Sequence, residues 1–96
     1  MQAEEVIIKI VELCQSYSAD QVILFGSRAK GTALERSDID IAVSGVNRFP
    51  ELREEIENLP TLFSVDVVDM DTCANSLLLE DIGKYGKKIY EKVSVL

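Results

Sequence analysis

Apolar positions change their spacing several times along the 96 residues, and each change marks an element. Over residues 3–17 they keep helical spacing: Val6, Ile10, Leu13 and Tyr17 form one stripe, flanked by Ile7, Val11 and Cys14. Glu4 and Glu5 suit the first turn, where the helix dipole favours negative charge. Ile8 falls outside the stripe, as a stray surface residue or as the start of a partner contact. A connector, 18–20, leads into a short β-rich run at 21–25, which Gly26 and Ser27 break. Residues 26–33 then read as a turn and a short helix, and 38–44 as a second strand. After a loop, Pro50 suits the first position of a helix with Leu52, Ile56 and Leu59 inward, and Pro60 stops it. A third strand follows at about 63–69. A last helix, roughly 73–85, carries the stripe Ala74, Leu78, Ile82 and Tyr85, widened by Leu77 and Leu79. Asp71 or Thr72 can cap its start and Gly86 its end. Residues 88–91 read as a short edge strand or an extended tail.

The order is helix, strand, turn, strand, helix, strand, helix. The link between the first two strands is short for a parallel crossover but long enough for an antiparallel one, whereas the next link contains a helix. The pattern predicts an α/β (α+β) domain over 1–96: a small mixed sheet of three to four strands with helices packed on one side.

Asp38 and Asp40 are two apart in the second strand, so they share a face, with Ile39 and Ile41 on the other. Two like charges at neighbouring same-face positions repel, and folding alone gives no reason for them. A divalent cation does, because hard Mg²⁺ takes carboxylate oxygens and fills its shell with water and substrate phosphates. An edge strand turning its polar face to water would carry the same pattern. Upstream, Gly26 and Ser27 stand at the start of the short helix, where unpaired N–H groups and a partial positive charge bind phosphate. A plain turn with Ser27 as N-cap is the simpler alternative.

Gly26-Ser27, Arg28-x-Lys30-Gly31 and Asp38-x-Asp40 in an apolar strand together resemble the DNA polymerase β-type nucleotidyltransferase superfamily. Within it the chain resembles the minimal nucleotidyltransferases (MNT proteins), many of them paired with a HEPN-domain protein. The motifs cover residues 20–70, and element order extends the likeness to nearly the whole chain. The resemblance implies the polymerase β-like fold and a third carboxylate on a later strand. Asp66 is the choice, because a charge inside a strand is costly to bury unless paired or bound to metal, while Asp69 reads as a strand-end residue. By the same resemblance, Asp38, Asp40 and Asp66 hold two Mg²⁺ ions, and the third carboxylate activates the attacking hydroxyl. Gly26, Ser27, Arg28 and Arg36 are the candidate nucleotide-binding residues for ATP or another NTP. Arg36 is equally placed for an ion pair with Asp38. Lys30 stands where many relatives have Arg, which keeps the charge but loses bidentate phosphate geometry.

Composition narrows the reading. With 17 acidic and 10 basic residues the net charge is −7, which disfavours this chain alone gripping polymeric DNA or RNA. There is no histidine, so zinc sites and His-based catalysis are excluded, and Cys14 and Cys73 have no metal-ligand spacing. Both cysteines read as small apolar fillers in a reducing compartment. No apolar run approaches the roughly 20 residues of a membrane span, and the acidic start lacks the basic flank of a signal peptide, so a cytoplasmic location is expected.

No residues remain for an acceptor-binding domain, so the acceptor comes to this domain or a second chain completes the site, as a homo- or hetero-oligomer. The resemblance places AMP transfer to a tyrosine of a HEPN toxin first, with this chain as antitoxin. A non-catalytic nucleotide-binding module that neutralises its partner by contact is the alternative. Transfer to a small molecule comes third, because a specific pocket needs walls.

Overall fold

The computed structural model describes residues 2–93. Eight elements follow in order: α1 (Ala3–Ser16), β1 (Gln21–Phe25), α2 (Ser27–Lys30), β2 (Ile39–Ser44), α3 (Phe49–Glu57), β3 (Val65–Asp69), α4 (Ser76–Tyr85) and β4 (Lys87–Glu91). The sheet runs β3-β2-β1-β4. The short link makes β1 and β2 antiparallel, and the helix-containing link makes β2 and β3 parallel. Residues 87–91 are an edge strand rather than a tail, antiparallel to β1.

Alternation along the strands sorts the side chains into two layers. Val22 and Leu24 of β1 and Ile39, Ile41 and Val43 of β2 face one way and are buried. Against them pack Val6, Ile10 and Cys14 of α1 and Leu52 and Ile56 of α3. The inward stripe of α1 is thus centred on Val6, Ile10 and Cys14, while Leu13 and Tyr17 lie at its flank, half-buried. Burial of Cys14 pushes its thiol up to about 12. Tyr17 donates its hydroxyl to Glu55, fastening α1 to α3.

The expected class and mixed sheet are present, but the helices do not all lie on one side. Ile82 of α4 packs with Phe25 and Ala42 on the opposite face, joined by Ile23, Val68 and Leu78. The reason is parity: Ile23, Ala42 and Val68 make a second apolar row that α4 covers. The helix starts later than expected, at Ser76, because Asn75 caps it by accepting the Leu78 N–H at 3.1 Å. Asp71 is engaged elsewhere, accepting the Gly45 N–H at 2.7 Å. Gly86 does end α4, with extended backbone. It is needed for close approach, since a Cβ there would lie 2.6 Å from Ile23 Cγ2. The outer side of α4 stays open, with Leu77 77% exposed.

Because α4 reaches only part of its face, the row Asp40–Asp66 is left uncovered at one end of the sheet. There the end of β1 meets the starts of β2 and β3.

Candidate active site

Register brings the carboxylates together. Phe25 pairs with Asp40 across β1–β2, and Asp40 pairs with Asp66 across β2–β3. Asp38 stands one residue before β2, and the Ile39 N–H reaches the Ser64 carbonyl at 2.9 Å to start the pairing. Asp40 is half-buried, whereas Asp38 and Asp66 are exposed. Asp66 thus carries no burial cost in its strand, contrary to expectation, and the register places it beside Asp40. Burial first, then the charges of Asp66 and Asp38 and a hydrogen bond with Asp66, hold the Asp40 carboxyl above the ordinary carboxylate value. Among the described residues none of the three has an ion-pair partner. Asp69, as expected, belongs to the strand end, where its Oδ1 accepts the Asp71 N–H at 3.0 Å.

The glycine turn closes onto this row. Gly26 has φ 74° and ψ −154°, a conformation open essentially to glycine alone. It is the N-cap of α2, and its carbonyl accepts the Ala29 and Lys30 N–H groups at 3.2 and 3.1 Å. A Cβ at Gly26 would overlap Asp40 Oδ2 and stand 3.1 Å from Cγ. The first N–H groups of α2 follow directly on this glycine and have no intrahelical partners.

The basic residues near the turn have these surroundings. Arg28 Nη2 donates to the Ser37 carbonyl at 2.7 Å and the Glu35 carbonyl at 3.1 Å, and Nε to Ser37 at 3.2 Å. Its guanidinium also lies 5.2 Å from the Phe63 ring centre. Lys30 pairs with Asp81 of α4 at 3.2 Å and lies 5.0 Å from the Tyr85 ring centre. Arg36 is exposed and makes no ion pair with Asp38 among the described residues; it lines a groove of about 200 Å³ with Gln2, Glu35, Leu62 and Phe63. These partners are far apart in sequence, and no local spacing announces them.

The three side chains offer only oxygen donors, the kind a hard divalent cation takes, and among the described residues none of them is ion-paired. Among the described residues they do not already close into a three-ligand cage. Mg²⁺ takes only one or two protein carboxylates and leaves the rest of its shell to water and substrate phosphates.

An antiparallel β1–turn–β2 unit, a parallel β3 beside β2 and the helices packed on this sheet make up the polymerase β-like nucleotidyltransferase fold. Residues 8–94 match the family Polymerase beta, Nucleotidyltransferase, and the chain belongs to that family. It is similar to a crystal structure of a toxin–antitoxin with AMP-PNP, at 28% identity and a TM-score of 0.70 over 94% of this chain and 74% of the other. A mutant of the toxin–antitoxin MntA-HpeT is also similar, at 25% identity and a TM-score of 0.70, over 88% of this chain and 73% of that one. These bear out the resemblance to the minimal nucleotidyltransferases. A GTP pyrophosphokinase of Streptomyces coelicolor is 33% identical over 81 residues, which are 82% of this chain and 9% of that protein. The chain thus spans less than a tenth of that curated relative. Among the described residues no helix is long and apolar enough to cross a membrane.

Proposed function

We propose that this chain transfers a nucleoside monophosphate, AMP foremost, from an NTP to a hydroxyl of a partner protein. The acceptor is a tyrosine of a HEPN toxin, and the modification makes this chain the antitoxin. The observation that carries the reading is the contact between the Gly26 turn and Asp40, itself flanked by Asp38 and Asp66. It sets an anion-binding turn against a cation-binding carboxylate row, which is what a metal-bound triphosphate needs. The similarity to toxin–antitoxin structures, one with AMP-PNP, supports both the nucleotide and the partner.

In this reading the β- and γ-phosphates lie on the Gly26–Ser27 backbone and the Ser27 hydroxyl. Asp38, Asp40 and Asp66 would hold two Mg²⁺, which supply charge stabilisation at the entering and leaving oxygens. Asp66, exposed at the edge strand, receives the proton of the acceptor hydroxyl. The hydroxyl oxygen bonds to the α-phosphorus, the bond to the β-phosphate oxygen breaks, and pyrophosphate leaves.

The test is incorporation of radiolabelled ATP, with Mg²⁺, into proteins of the source cell's lysate. Wild type is compared with the Asp38→Asn/Asp40→Asn double variant. One labelled band that requires the aspartates is expected, with transfer falling on the order of 100-fold or more in the variant. No label, with one partner co-purifying regardless of the aspartates, would instead establish neutralisation by contact.

A further inference from the structure

Arg28 joins three pieces of the site. Its Cα belongs to α2, directly after the Gly26–Ser27 turn. Its guanidinium grips the carbonyl of Ser37, the residue before Asp38, through two N–H groups at 2.7 and 3.2 Å, and that of Glu35 at 3.1 Å. The same guanidinium stacks on Phe63, two residues ahead of β3 and its Asp66. Asp38 lies outside the strand ladder and is exposed, so the sheet does not fix it as it fixes Asp40.

We infer that Arg28 is a positioning residue: it fixes the backbone that presents Asp38 to the divalent cation, and does not itself take a nucleotide phosphate. The inference rests on the nucleotidyl-transfer reading. A planar fork with several fixed N–H donors suits two carbonyls at once and can stack on a ring in the same pose. A lysine ammonium keeps the charge but loses both the fork and the stack. Misplacing one ligand by an ångström is enough to weaken a site of this kind.

The test uses Mn²⁺ as the probe, titrated into the full chain and followed by loss of the free-ion paramagnetic resonance signal. Wild type, Arg28→Lys, Asp38→Asn and the double variant are compared, with thermal melts of each. Arg28→Lys is expected to weaken Mn²⁺ binding about 10-fold, and the double variant to bind no worse than Asp38→Asn alone. Equal losses in both backgrounds would overturn the inference, because Arg28 would then act independently of Asp38. Unchanged Mn²⁺ binding with a raised KM for ATP would overturn it too, and would make Arg28 a direct phosphate contact. Should Arg28→Lys fail to fold, Arg28→Met and Phe63→Leu replace it, with the same dependence on Asp38 expected. Wild type that binds no Mn²⁺ even with ATP would overturn the nucleotidyl-transfer reading itself.

Discussion

The backbone of Gly26 lies so close to the Asp40 carboxylate that a Cβ there would overlap Oδ2 and sit 3.1 Å from Cγ. Two constraints therefore meet at one residue, a backbone conformation reserved for glycine and a contact without room for a methyl group. Gly26→Ala is expected to cost about 1–3 kcal/mol of stability through backbone strain. It is also expected to displace the Asp40 carboxylate, so transfer should fall by more than the stability loss accounts for. Thermal melts beside transfer rates at a temperature where both proteins are folded check this; a folded variant with wild-type transfer would show that the contact is incidental.

Asp40 makes the metal-free protein sensitive to pH. Its carboxyl is held above the ordinary value by burial and by Asp66 and Asp38. The folded chain thus binds more protons than the unfolded chain in the window just above the unfolded value of about 3.9. Stability must fall as pH rises through that window, up to the raised folded value. Asp40→Asn should flatten this fall and melt higher than wild type at pH 7 without divalent cations. Adding Mg²⁺ should reverse the order, since the cation offsets the repulsion only where all three carboxylates remain. Melting curves between pH 3.5 and pH 7, with and without Mg²⁺, decide the matter.

The cap of α4 can be tested alone. Asn75 accepts the Leu78 N–H at 3.1 Å, and Asn75→Ala should destabilise by about 1 kcal/mol. Asp71→Ala and Thr72→Ala should leave that helix start intact, although Asp71→Ala loses its bond to the Gly45 N–H. Urea denaturation of the three variants separates the roles.

The cysteines should differ sharply. Cys14 is fully buried, and its thiol is pushed up to about 12 by that burial. An alkylating reagent at pH 8 should add a single label to the native chain, on Cys73, and a second only after unfolding. Intact-mass measurement followed by peptide mapping reads the result; rapid labelling of Cys14 would mean that the α1 layer opens readily.

Much of this protein is determined by the sequence itself. The period of the apolar positions predicts seven elements in order, because period two and period 3.6 put apolar side chains on one face of a strand or a helix. The Gly26-Ser27 turn and the Asp38–Asp40 spacing carry the family, because both depend on local backbone geometry. What spacing cannot determine are relations between residues far apart along the chain. Only the strand register places Asp66 beside Asp40, and Asp66 turned out exposed, because β3 is the sheet edge and α4 stops short of it. Only the pairing with β1 makes residues 87–91 a strand and turns β1 from an edge into an interior strand. Only packing sends α4 to the face opposite α1 and α3, since its apolar arc is compatible with either. The surroundings of the basic residues depended on tertiary structure most of all: only the fold brings the Ser37 carbonyl to Arg28 and Asp81 to Lys30. A long flexible side chain is committed by whatever the fold brings within a few ångströms, and that distance is set by the tertiary structure rather than by sequence separation.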